Sequence, residues 1–186
     1  SNLVKYDLGG NIILENGYKS SMAAFNLHVS VLEARDDIVS VIHTHTPANL
    51  AVSAHRRGLL PITQQAMRFF NRIAYHENAA NDATREGSMD IANAVGEKWT
   101  MLLENHGAVV CGTTLAEAYI YHHFMELACR AQAAAIGAGD DLIIPPDEVC
   151  EQRAQAAGKH GVYDSDSRDW QASMLFADHH YPDYKF

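Results

Sequence analysis

No window of this sequence approaches the roughly 20 consecutive apolar residues that cross a bilayer, and its start lacks a basic stretch leading into an apolar run. Neither a membrane span nor a secretory leader is indicated, so the expectation is a soluble, cytoplasmic protein without a membrane partner. Cysteine is scarce. Cys111, Cys129 and Cys150 are odd in number and form no C-x-x-C pair, which argues against a disulfide framework and a thiolate zinc site and leaves buried reduced thiols. Positive charge is also short, with 14 Lys and Arg against 23 Asp and Glu for a net charge of −9. With no Lys/Arg cluster to track a phosphate backbone, nucleic acid is not expected as a partner. Repeats and linkers are missing too, so residues 1–186 read as one domain, long enough to bury a sizeable core in an α/β or α+β arrangement.

What is present begins with a hairpin pattern. Leu3 to Leu8 alternates, Gly9-Gly10-Asn11 supplies the turn, and Ile12-Ile13-Leu14 resumes the apolar run. Ser20 or Ser21 caps a helix in which Met22, Phe25, Val29 and Leu32 recur at helical spacing until Asp36-Asp37. Ile38 to Ile42 is β-branched and short, a buried strand running into His43-Thr44-His45. Thr46-Pro47 then provides an N-cap and a first-turn proline for a helix to about His55. Leu59 to Phe70 reads as a short strand or loop followed by a helical piece, and Glu77 to Glu86 as a surface loop before a helix over Ser88–Val95. Thr100–Leu103 and Ala108–Cys111 form a second hairpin around Asn105-His106-Gly107. The capping box Thr114-Leu115-Ala116-Glu117 opens a long amphipathic helix to Ile136, closed by Gly137. Pro145-Pro146-Asp147-Glu148 starts another short helix, and the tail beyond Gly158 is polar with scattered aromatics.

Eleven histidines are unevenly placed. His43 and His45 stand one residue apart at a strand end, so the two-residue side-chain period sends both imidazoles to one face. Two nitrogen ligands on one rigid edge suit Zn²⁺, and His106 in a glycine-containing turn is a candidate third ligand that leaves a coordination position open. An isolated H-x-H is also commonly an ordinary pair of polar strand-end residues, and spacing alone does not separate the two readings. His122 and His123 are adjacent on a helix and cannot both face one site; His179 and His180 fall in the tail; these read as surface or core-edge residues. His28 is a candidate partner for a ligating imidazole's second nitrogen.

At these residues the sequence resembles a known family. Val41-Ile42-His43-Thr44-His45-Thr46, then Leu102-Leu103-Glu104-Asn105-His106-Gly107, then a helix ending Glu126-Leu127-Ala128-Cys129-Arg130-Ala131-Gln132 are similar in order and spacing to the class II aldolase/adducin family, which includes fuculose-phosphate aldolase type proteins. The resemblance runs from the Leu3 strand through Pro61 to Glu77 and on to about residue 136. It implies a three-layer α/β/α sandwich around a central, largely antiparallel sheet, a homotetramer, and a Zn²⁺ or other divalent ion such as Mn²⁺ held by His43, His45 and His106. It also implies a lyase reaction on a small hydroxylated carbonyl substrate. Two departures bear on this. Where the aldolases carry an acid/base glutamate after a Ser-Ser pair, Ser20-Ser21 is followed by Met22, and counting back from His43 without a gap lands on Ala24; neither side chain moves a proton. The chain also begins about where the later half of the family's N-terminal region does, so the family's upstream phosphate-binding loops fall outside the match. The candidate substitutes for the missing carboxylate are a metal-bound water, a tail tyrosine such as Tyr181 or Tyr184 from a neighbouring subunit, and Glu104. For Glu104 the competing reading is a solvated strand-end carboxylate. The alternative to an enzyme is an adducin-like, non-catalytic domain serving oligomerisation or partner binding, which the loss of the glutamate favours.

Overall fold

Threonine and serine set the helix starts along this chain, each placing a side-chain oxygen under an otherwise unpaired N–H of a first turn. Ser21 caps α1 (Met22–Ala34), Thr46 caps α2 (Pro47–Ser53) and Thr63 caps α3 (Gln64–Met67). Thr84 caps α4 (Arg85–Val95) and Thr114 caps α5 (Leu115–Ala138) in the same way. The remaining helices are α6 (Asp147–Ala156) and α7 (Arg168–His180). The strands are β1 (Lys5–Tyr6), β2 (Ile12–Leu14), β3 (Ser40–Thr44), β4 (Ile73–His76), β5 (Thr100–Leu103) and β6 (Gly107–Gly112). This computed structural model describes residues 3–77, 82–139, 141–158 and 160–185.

The central sheet has the order β3-β6-β5-β4, antiparallel except for the parallel pairing of β4 with β5; β1 and β2 form a separate hairpin. Alternation sorts its side chains into two cores. Met101, Leu103, Val109 and Cys111 meet Leu27 and Val31 of α1 and Ile91 and Val95 of α4 on one face. Leu102, Ala108 and Val110 meet Val52 of α2 and Tyr121, Met125 and Cys129 of α5 on the other. Helices on both faces of a mixed, mostly antiparallel sheet give the expected three layers. All four residues of β5 and all six of β6 are buried.

Several sequence expectations shift. The strand read as Ile38–Ile42 is Ser40–Thr44, so His43 lies inside the sheet, where it pairs with Val109. Strand β4 was not anticipated: its four residues have no flanking turn signal, and it gains its place from parallel pairing with β5, a long-range contact that local pattern does not record. The long helix passes Gly137 and stops at Ala138, with Gly139 at its C-cap at φ +135°. Its apolar face is consumed inside this chain, with Ile120, Tyr121, Met125, Ala128 and Cys129 all buried. The tail holds the 13-residue helix α7, none of whose residues is buried. Of the loop read over Glu77–Glu86, residues 78–81 lie outside the described residues, and its end is already helical from Arg85. No helix among the described residues is long and apolar enough to cross a membrane.

Candidate metal centre

One end of the sheet gathers the ends of β3, β4 and β5 and the start of β6. There His43, His45 and His106 bring one ligand atom each to within 4.8 Å of one another. Their ring centroids lie 4.6 Å (His43–His45), 5.0 Å (His43–His106) and 4.9 Å (His45–His106) apart, so each imidazole faces the other two. His43 Nδ1 donates to the Ala108 carbonyl at 3.0 Å, which fixes the tautomer and turns the Nε2 lone pair toward the cluster. His45 Nε2 lies 2.8 Å from that nitrogen. Burial lowers the pKa of His43 to about 4, partly offset by the Ala108 carbonyl; burial also lowers that of His106, with His45 as the next cause. Burial that disfavours the charged forms of His43 and His106, with three ring nitrogens within 4.8 Å of one another, supplies the kind of donor set a divalent ion needs.

The strand period explains how the cluster is held. In His43-Thr44-His45-Thr46, the two histidines serve the cluster, and the threonines engage α5. Thr44 Oγ1 lies 2.8 Å from His122 Nε2 and accepts from Asn49 Nδ2 at 2.8 Å. Thr46 Oγ1 donates to Glu126 Oε2 at 2.6 Å, and Arg130 Nε, 3.1 Å from Oε1, holds the same carboxylate. His122 and Glu126 sit one turn apart on α5, so one face of that helix grips alternate residues of the histidine strand. His122 is therefore a structural partner of the site, although its sequence position suggested a surface or core-edge residue. The available signal was the H-T-H-T alternation itself.

Gly107 lets the His106 turn approach. It has φ +148°, and a Cβ there would collide with the Thr44 carbonyl oxygen and lie 2.9 Å from His45 Cδ2. Asn105 precedes it at φ +54°, which ends the strand alternation. Glu104 consequently does not continue the side of His106. It is exposed and lines a cavity with His55, Arg56 and Arg57 that contains none of the three histidines. His28 bonds back to its own helix, Nδ1 to the Ala24 carbonyl at 2.7 Å, so it is not the partner of a cluster imidazole through that nitrogen. Tyr181 is exposed, and Tyr184 donates its hydroxyl to Asp178 at 2.7 Å. His179 and His180 lie on exposed α7. A pair missed in the sequence stands at the end of β4: His76 Nε2 lies 3.2 Å from Asp82 Oδ1, both side chains are largely buried, and Asp82 raises while His76 lowers the pKa of His106. Its members are six residues apart in a segment without periodicity, and no motif marked them.

Among known proteins, the model of the Class II Aldolase and Adducin N-terminal domain matches residues 1–133. A class 2 aldolase-type protein of Caulobacter vibrioides is 37% identical over 166 residues, covering 87% of this chain and 65% of its own length. Rat alpha-adducin is 36% identical over 151 residues, covering 77% of this chain but 20% of the adducin. The chain thus spans less than two thirds of these relatives. Among solved structures, an aldolase II superfamily protein from Pseudomonas syringae superposes with a TM-score of 0.92 at 34% identity, over 100% of this chain and 75% of that one. An L-fuculose 1-phosphate aldolase from Glaciozyma antarctica shares the fold at 23% identity with a TM-score of 0.77, over 96% of this chain and 68% of that one. On the family match and on this shared fold, the chain belongs to the class II aldolase and adducin family.

Proposed function

We propose that His43, His45 and His106 hold a divalent metal ion, zinc or another such as manganese, in a lyase site for a small hydroxylated carbonyl compound. The observation that carries the reading is the convergence of three imidazole nitrogens within 4.8 Å, with His43 Nδ1 committed to a backbone carbonyl. No fourth His, Cys, Asp or Glu joins this cluster among the described residues, which suits an open catalytic position better than a closed structural site. A metal held by His43, His45 and His106 would supply Lewis-acid polarisation of a substrate carbonyl, an effect worth several kcal/mol. The protein's own part is to orient. The Thr44 and Thr46 contacts to α5 fix the strand, and Ala108 fixes the His43 tautomer.

Proton handling falls to groups other than the family glutamate. The first turn of α1 has no acidic residue, and Met22 is exposed at its start. The His76–Asp82 pair supplies an imidazole with its orientation set by a carboxylate, the usual arrangement of a general base. Exposed Leu175 and Phe176 on α7 support assembly, with a homotetramer as the proposed state. The free, buried thiols Cys111, Cys129 and Cys150 suit a reducing, cytoplasmic setting.

The missing carboxylate together with 36% identity to alpha-adducin favours a second reading, a non-catalytic domain serving oligomerisation or partner binding. A hydroxamate that mimics an enediolate separates the two. The lyase reading expects metal-dependent binding that is lost in His45→Ala, with weak turnover of sugar-phosphate aldol substrates that Met22→Glu or Ala24→Glu raises. Absence of hydroxamate binding by metal-loaded protein favours the adducin-like reading.

A further inference from the structure

A cavity of about 650 Å³ lies at the other end of the sheet, beside Thr100 at the start of β5. The length of β5 separates it from the His106 turn, roughly 10 Å at the usual strand rise. Its volume falls within the range of small-molecule sites, about 300–1,000 Å³. Phe69, Trp99 and Tyr121 contribute apolar lining, and among the described residues that line it Arg68, Arg72 and Lys98 bring three cations against the carboxylate of Glu97. That is a local excess of positive charge in a chain of net charge −9.

Two of these cations are already occupied. Arg72 makes a two-pronged pair with Glu151 at 2.6 and 3.0 Å, and Lys98 Nζ donates to the Asn71 carbonyl at 2.5 Å. Arg68 is different. Its guanidinium stacks on Phe124 at 3.9 Å from the ring centroid, and among the described residues it has no ion pair and its buried Nη1 has no hydrogen-bond partner. Arg68 also lines an adjoining cavity of about 350 Å³ with Arg153. Three buried side-chain polar atoms lack a partner among the described residues: Asn49 Oδ1, Arg68 Nη1 and His160 Nδ1. Two of the three belong to residues lining this one cavity. His160 is stacked between Trp99 and Tyr121, both 4.3 Å away, and its Nδ1 is 3.8 Å from Glu117 Oε1, too far for a hydrogen bond. Unpaired buried polar groups cost stability, and an anion in the cavity recovers that cost at Arg68 by drawing its guanidinium round to meet it.

We propose that this cavity is a second ligand site, separate from the histidine cluster, that takes a small anion carried on a flat ring. Arg68 meets the carboxylate or phosphate, and the ring packs against the apolar lining of Phe69 and of the Trp99–His160–Tyr121 stack. The test uses the whole chain and two matched pairs of probes, indole-3-carboxylate with indole and adenosine monophosphate with adenosine, by calorimetry and by amide and indole NMR shifts. Trp170→Phe assigns the Trp99 indole signal. The expectation is saturable binding of at least one anion at micromolar to low millimolar concentration, shifts at Trp99 and His160, and weaker binding of its neutral counterpart. Arg68→Gln should lower that affinity roughly tenfold or more, the scale of one charge-assisted hydrogen bond, and His45→Ala should leave it unchanged. Carboxylate binding without phosphate binding, or the reverse, identifies the head group. Equal binding of neutral and anionic probes, shifts confined to the histidine cluster, or no saturable binding overturns the proposal. The shift map of the unmodified protein decides the matter if Arg68→Gln does not fold.

Discussion

Replacing Gly107 with alanine probes the link between backbone and site. The new Cβ would meet the Thr44 carbonyl oxygen, a backbone atom between His43 and His45 at the end of β3, and the edge of the His45 ring. At φ +148° the backbone also adopts a conformation L side chains rarely take. Strain of this kind costs about 1–3 kcal/mol, and forcing a methyl group into a packed contact costs about 1–3 kcal/mol more. The sum, roughly 2–6 kcal/mol, is a large fraction of a domain's total stability. Relief requires the β5–β6 turn to move away from β3, which pulls His106 from His43 and His45. Urea unfolding with constant m should show the loss, and chelator competition should show metal affinity reduced by roughly tenfold or more, the scale of a loosened ligand shell. Gly107→Ala protein with a stability change below about 0.5 kcal/mol, the range of an ordinary surface substitution, and unaltered metal affinity would refute the reasoning.

Two further outcomes follow from groups away from the cluster. Burial lowers the pKa of His160 from 6.5 to about 4, with Glu117 pulling it up and Arg35 pushing it down. Its neutral form is the one the fold accepts. The unfolded chain takes up a proton first as pH falls, so this contribution is complete above about pH 6.5 and is lost progressively toward pH 4, by at most about 3 kcal/mol. His160→Phe should flatten the stability–pH profile in that window relative to the unmodified protein, and an unchanged slope by urea titration contradicts the assignment. Glu117, fully buried, accepts from Thr113 N at 2.8 Å, Thr113 Oγ1 at 2.9 Å and Gly161 N at 2.6 Å. Glu117→Ala should cost about 2–4 kcal/mol through the orphaned donors and release the backbone at Gly161; thermal melts within about 1 °C of the parent, well inside the shift expected for 1 kcal/mol, contradict that role.

Sequence pattern carried the parts of this molecule whose signals are local. Caps at Ser21, Thr46 and Thr114 are read from one side chain and the turn behind it. The shared face of His43 and His45 follows from strand period alone, whereas His106, a candidate from its glycine-containing turn, was singled out by the family resemblance, because a turn about 60 residues away becomes a neighbour only through β3–β6 pairing. Strand β4 was missed for the same reason, its parallel partner β5 lying across the α4 crossover. The α7 helix was obscured because its apolar residues, Leu175 and Phe176, stay exposed in this chain and sit among polar neighbours. Glu104 was considered on a period-two argument that fails where Asn105 takes a positive φ. The roles of His122 and of the His76–Asp82 pair lie in tertiary contacts between elements with no common motif.

Metal content decides whether His43, His45 and His106 form a metal centre. Elemental analysis by mass spectrometry of the purified chain, after reconstitution with zinc or manganese and removal of loose ions, tests it most directly. The expected result is close to one divalent ion per chain, lost in His45→Ala and His106→Ala proteins that otherwise keep their fold by circular dichroism. Unmodified protein that stays metal-free, or variants that retain the ion at the same stoichiometry, would contradict it.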